Sequence, residues 1–324
     1  MAVFRYYNVQ LLPLDTKSTQ LLTADEYKDL FIRAKNNTIA AIAAKHLELV
    51  SATLRNDFRF SFFKASELDE LIYGTFIKFN HIDELRDLYT DNKTQDVGIG
   101  VTHRRGEFEF VWNPRTHILA ISKLSIKTKS NRPQMRLMSG SGVINALETL
   151  LSPISEERFK NYVLSIHEMT SSESLDDVLN ADGYKSIEAK VAFSNSDELI
   201  DAIADELESD LKQNNVHDAE IIQRSAKRSE MSGLTKTALA FLALATKHGN
   251  AVVRYRKNHE NRKYQMADYP VEIRVQRLAK GEENDYWRSI GDSIFEAIKK
   301  TRLGDMAKKA LKSTIGSDDE HQKK

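Results

Sequence analysis

The stretch YKSIEAKVAFSNS sets a carboxylate and an amine two residues apart, at Glu188 and Lys190. This is the E-x-K half of one kind of metal-dependent nuclease site. Such chemistry needs carboxylate oxygens to hold Mg²⁺ and an amine to orient or polarise the attacking water. An acid from a neighbouring element must complete the metal site, and the sequence offers Asp176, Asp177 and Asp182. None of them ends a strand after a proline, where such acids are usually presented. The competing reading is architectural. Ile187, Ala189, Val191 and Phe193 alternate, which turns them inward and leaves Glu188 and Lys190 on the solvent side of a strand.

Other constellations are weaker. Arg254 and His259 match R-x4-H, a spacing used by helical ribonucleases, but the segment around them alternates as a strand. His46, His81, His103, His117, His167, His217 and His248 show no H-x-x-x-H pairing that would suggest zinc. SGSG at 139–142 leads into a helical pattern with Arg132 and Arg136 upstream, and a helix N-terminus there would attract an anion. It lacks the G-K-[ST] of a nucleotide-binding loop and is equally an ordinary N-cap. It is also not the G-x-S-x-G elbow of a serine hydrolase. No motif implies a cofactor.

Charge is more informative than motif. The 324 residues carry 47 basic and 47 acidic side chains, yet the charges are segregated. Glu168 to Asp210 holds thirteen acids against Lys185 and Lys190. Ile221 to Tyr264 holds ten bases against Glu230 and Glu260, and Arg104 to Arg136 eight bases against Glu107 and Glu109. Such blocks are either solvated faces paired within the chain or surfaces that converge on a phosphate backbone. The segment VVRYRKNHENRKYQ favours the second reading. Alternation puts Arg254 and Arg256 on one strand face, and Tyr255 and Tyr264 are interleaved where they could stack on unpaired bases. The nucleic-acid-binding residues expected are therefore Arg254, Arg256, Lys257, Arg262 and Lys263. Arg104, Arg105, Lys127, Lys129, Arg132 and Arg136 form a second surface. With no recognition helix, contact would be weakly sequence-selective.

The elements that must position these residues follow from periodicity. AVFRYYNVQLLPL reads as a strand. Thr23 and Glu26 form a capping box for a helix with Leu30, Phe31, Ala34, Ile39, Ile42 and Ala43 on its apolar stripe. Strand-like runs then continue to about residue 130, and a helix closed by Pro153 follows. The second part alternates strands with helices, among them the apolar LTKTALAFLALATKHG, and ends in a helix with Trp287, Ile290, Ile294 and Ile298 at three and four. That stripe packs internally or against a second copy. The expected fold class is α+β with two domains, a strand-rich one at 1–150 and a mixed one with a helical end at 151–316. A solvated tail is expected at 317–324.

Composition bounds the rest. The absence of cysteine excludes disulfides, thiolate metal sites and thiol catalysis. MAVFRYYNVQLLP is not a signal peptide, because Arg5 and the tyrosines interrupt any apolar run. TALAFLALAT is too short to span a bilayer. A cytoplasmic protein without direct membrane insertion is expected.

In order and texture the chain resembles the RexA-like phage-exclusion proteins and related bacterial antiphage defence-associated proteins. The residues that carry this are RYYNVQLLPLDTKSTQLLTADEYKDLF, FEFVWNPRTHILAI, the IEAK strand, AVVRYRKNHENRKY and the closing aromatic-rich helix. The resemblance implies a homodimer that binds double-stranded DNA with little sequence preference and acts in phage defence or prophage exclusion. It also implies a phage or host protein partner, such as a membrane protein encoded alongside. The expectation is a non-catalytic binder; the alternatives are an Mg²⁺ nuclease using Glu188, Lys190 and an acid such as Asp182, or a protein-interaction module.

Overall fold

Period-two alternation in both parts of the chain is realised as antiparallel sheet, and period-3.6 stripes as helices, giving an α+β fold. The computed structural model describes residues 1–15, 22–80, 84–86, 93–96, 105–127, 133–192, 202–278 and 281–301. The tail expected at 317–324 lies outside these residues. Two compact units form from interleaved stretches. The first is Met1–Phe4, Leu22–Lys160 and Arg274–Asp292; the second is Arg5–Leu21, Asn161–Ile273 and Ser293–Lys324.

In the first unit, β1 (Ala2–Pro13) begins with the Val3 carbonyl accepting the Lys123 N–H at 2.7 Å. Helix α1 (Ala24–Ala43) starts at the capping box. The Glu26 N–H donates to Thr23 Oγ1 at 3.3 Å, and the Thr23 N–H donates to Glu26 Oε2 at 2.8 Å. The strands are β2 (Ala52–Thr53), β3 (Phe58–Leu68), β4 (Leu71–Asn80), β5 (Glu84–Arg86), β6 (Lys93–Asp96), β7 (Arg105–Asn113) and β8 (Ile118–Ser122). Five of them lie in the order β8-β7-β4-β3-β2, while β5 pairs with β6. One sheet face buries Phe60, Phe62, Phe76, Phe108, Phe110 and Trp112. Helix α1 covers it, with Phe31 stacked on Trp112 at 4.6 Å between ring centroids. Leu30, Phe31 and Ala34 are buried as expected, but Ile39 and Ile42, near the end of α1, are exposed. Helix α2 (Gly140–Arg158) does not stop at Pro153. The ring sits on an exposed face, where the carbonyl it leaves unbonded meets water.

The second unit continues β1, whose residues Tyr7–Pro13 pair antiparallel with β9 (Tyr162–Glu168). It then forms α3 (Asp176–Leu179), β10 (Gly183–Ala192), α4 (Ala202–Gln213), β11 (Asp218–Arg224), α5 (Lys236–His248), β12 (Gly249–Lys257), β13 (Glu260–Gln265) and β14 (Glu272–Val275). Four of these strands make an antiparallel sheet in the order β11-β10-β12-β13. Its inner face is Ile187, Ala189, Val191, Ala251, Val253, Tyr255 and Tyr264, packed in one core with Leu239, Phe241, Leu242 and Leu244 of α5. Each such large side chain contributes about 1.5–3 kcal/mol by burial, which holds α5 far more firmly than helix propensity does.

The last described helix, α6 (Glu283–Thr301), has residues in both units. Its stripe is internal, with Ile290, Ile294 and Ile298 all buried. In the first unit, the Tyr73 and Trp287 rings pack at a tilt with centroids 4.7 Å apart. There too the buried Glu109 carboxylate accepts from Arg277 at 2.5 Å and from the Tyr286 hydroxyl at 3.2 Å. Burial raises the Glu109 pKa and the Arg277 charge opposes that shift. Among the described residues, no helix is long and apolar enough to cross a membrane.

Candidate nucleic-acid interface

Pleating decides where each charge on the four-stranded sheet goes. Because Ile187, Ala189 and Val191 face α5, the intervening Ser186, Glu188 and Lys190 face the other way. On β12 the same parity sends Ala251, Val253 and Tyr255 inward and Arg254 and Arg256 outward, as the sequence predicts. Cross-strand register then lines up residues from four strands. Ser186 is opposite Arg224 on one side and Arg254 on the other, and Arg254 is opposite Lys263. The open face therefore carries the row Arg224, Ser186, Arg254, Lys263 across the whole sheet. At about 4.8 Å per strand, its ends lie roughly 14 Å apart.

The three cations in this row are exposed, whereas Ser186 between Arg224 and Arg254 is buried. Arg224 is 64% exposed and Arg254 53% exposed. Lys263 donates to Gln265 Oε1 at 2.8 Å, and Arg254 reaches Ser186 Oγ at 3.5 Å. The next row inward is Ile222, Glu188, Val252 and Gln265. Glu188 Oε1 lies 3.3 Å from Arg224 and 3.9 Å from Arg254. Beyond it come Glu220, Lys190 and Asn250, with Lys190 paired to Asp218 at 3.0 Å. The face is thus basic at one end and mixed to acidic at the other. Lys227 and Arg228, exposed in the turn that leaves β11 beside Arg224, extend the basic end.

The other bases expected on this hairpin separate from the row. Arg256 is on the open face but is paired with Glu230 at 2.9 Å. Lys257 and Arg262 fall on the opposite parity and both engage Asp177, at 2.7 and 3.9 Å. The hydrogen bond from Lys257 holds Asp177 below the usual carboxylate range. Tyr255 and Tyr264 do not present rings for base stacking. They are 5% and 2% exposed, inside the core, because they share the parity of Val253. Arg224 and Ser186 are the members that sequence reasoning missed. Arg224 was signalled only as one of the ten bases of Ile221 to Tyr264, and Ser186 only by sharing the outward parity of Glu188.

In the first unit, Arg105 pairs with Glu107 at 2.8 Å and lies over the Phe63 ring at 4.5 Å. Lys127 and Arg136 are exposed, and the Arg136 carbonyl accepts from Lys78 at 3.4 Å. Arg104, Lys129 and Arg132 lie outside the described residues. SGSG forms the start of α2, with the Ser139 hydroxyl accepting the Gly142 N–H at 3.3 Å as a plain N-cap.

The nuclease constellation is spread apart. Asp176 and Asp177 belong to α3, whose Val178 is in the core on the α5 side of the sheet, whereas Glu188 is on the open side. Asp182 accepts the Asn258 N–H at 2.8 Å at one end of β10. Six residues of strand, about 20 Å, separate it from Glu188. His259 occupies a hairpin turn with φ of 66°, next to Asn258 at 52°, so R-x4-H has no helix to work on. Among the described residues, no group of three or more His, Asp or Glu side chains is placed to hold a metal ion.

The second unit is therefore an α+β module that covers one face of its four-stranded sheet with helix and leaves the other face charged and uncovered among the described residues. The chain belongs to the family described as Domain of unknown function (DUF4747), which it matches over residues 5–292. No curated protein matches it.

Proposed function

We propose that this is a non-catalytic, weakly sequence-selective nucleic-acid-binding protein that holds the phosphate backbone of double-stranded DNA on the open face of the four-stranded sheet. Its setting in phage defence or prophage exclusion is the one implied by the resemblance of the whole chain. The observation that supports the reading is the Arg224, Ser186, Arg254, Lys263 row, three cations in line across an uncovered sheet. The face has no aromatic side chain among these rows, so it offers charge to a backbone and no stacking platform to unpaired bases.

Titration of a random-sequence duplex against salt tests this. Three phosphate contacts correspond to a slope of about −2.7 in log affinity against log salt. Affinity that hardly changes between low and moderate salt, or no binding at low salt, removes the proposal.

A further inference from the structure

Arg224 and Arg254 lie opposite Ser186 on its two neighbouring strands, and the same Glu188 oxygen is 3.3 Å from one guanidinium and 3.9 Å from the other. Ile222 and Val252 flank Glu188 in its row, so no other charged group on the neighbouring strands shares its position. An anionic oxygen bridging two arginines is what a phosphodiester oxygen would be in the same place. We infer that Glu188 is a built-in competitor for a phosphodiester subsite made by Arg224 and Arg254. Binding a backbone phosphate displaces the carboxylate from both arginines. The inference rests on the reading of this face as a DNA-binding surface.

Two consequences follow from the geometry. The carboxylate keeps the arginines ordered and partly neutralised in the free protein, so weakly held anions gain little from them. A polyanion, which engages Lys263 in the same row, gains enough in addition to displace Glu188. Removing the charge while keeping the shape therefore strengthens DNA binding. It also steepens the salt dependence, because the freed arginines hold counterions that the DNA must release.

The test compares the wild-type chain with Glu188→Gln and Glu220→Gln in the same duplex titration, with thermal melting to verify folding. Both substitutions remove one negative charge from the same face, but only Glu188 touches the row. The expected result is a roughly three- to tenfold gain in affinity for Glu188→Gln, in line with the loss of two exposed ion pairs. Its salt slope should be steeper, and Glu220→Gln should change affinity by less than about twofold. Equal affinities for the two variants overturn the inference while leaving the DNA-binding reading in place. If neither the wild-type chain nor Glu188→Gln binds the duplex, the reading itself falls, and the inference with it.

Discussion

His117 and His167 are kept neutral by their surroundings. His117 stacks on Tyr27 at 3.9 Å, and burial lowers its pKa to about 4. His167 contacts Ser165 Oγ at 3.0 Å and is lowered to about 4 by burial and then by the Lys190 charge. Both start from 6.5 in the unfolded chain, so between 6.5 and 4 the unfolded state binds protons that the folded state refuses. Stability from these groups is therefore complete above pH 6.5 and is lost as pH falls toward 4. Each contributes at most about 1.4 kcal/mol per pH unit, less where the ring edge is solvated. The buried carboxylates Glu109 and Glu168 shift upward and act in the opposite sense, taking up a proton in the folded state first. Melting temperature should fall from pH 7 to pH 5, and His117→Asn, which suits the positive φ of 58°, should flatten that fall. Parallel pH profiles for the variant and the wild-type chain would exclude His117 as a source. At this scale the sequence was informative about parity and silent about partners. Alternation put Glu188 and Lys190 outward, but it could not say that Glu188 meets Arg224 from a strand 36 residues away.

Strands and helices were legible where their period is long and unbroken. The apolar run of α5, the capping box of α1 and the alternation of β10 and β12 are local properties, and each forms where its pattern lies. The basic strand pair of AVVRYRKNHENRKY forms as hairpin β12–β13, although its turn is Asn258-His259 rather than an Asn-Gly pair, with both residues at positive φ. Close approach of backbones is also invisible in a single chain. Gly249 has an extended φ of −171° that any residue adopts, yet a Cβ there would lie 2.1 Å from the Lys190 carbonyl oxygen. Gly249→Ala must therefore push β12 away from β10. We expect a loss of about 1–3 kcal/mol by overpacking and weaker DNA binding, since Arg254 rides on the displaced strand. Unchanged denaturation midpoints in urea would show that the sheet absorbs the methyl group without moving.

Over the whole molecule, formal charge sums to zero, so the DNA binding we propose depends on local arrangement and not on a long-range field. Asp177 and Glu188 of the acidic segment meet bases of the basic one, and other pairs form locally. Asp177 takes Lys257 and Arg262, Asp218 takes Lys190, and Glu230 takes Arg256. Three bases of the hairpin, Arg256, Lys257 and Arg262, are thus engaged within the unit, while Arg224, Arg254 and Lys263 line the open face. A triple substitution Arg224→Ala, Arg254→Ala, Lys263→Ala should abolish most duplex binding and reduce the salt slope by about one unit per lost phosphate contact. The double substitution Lys257→Ala, Arg262→Ala should leave that slope nearly unchanged. The reverse pattern would move the interface to the α3 side of the sheet. What the amino-acid sequence determined by itself was the α+β class, the outward parity of the charged residues and the apolar faces, because these depend on periods within one segment. Strand neighbours and cross-strand register were decided only by tertiary structure. They come from hydrogen bonds between segments far apart in the chain, and they alone turn scattered bases into a row with Glu188 beside it.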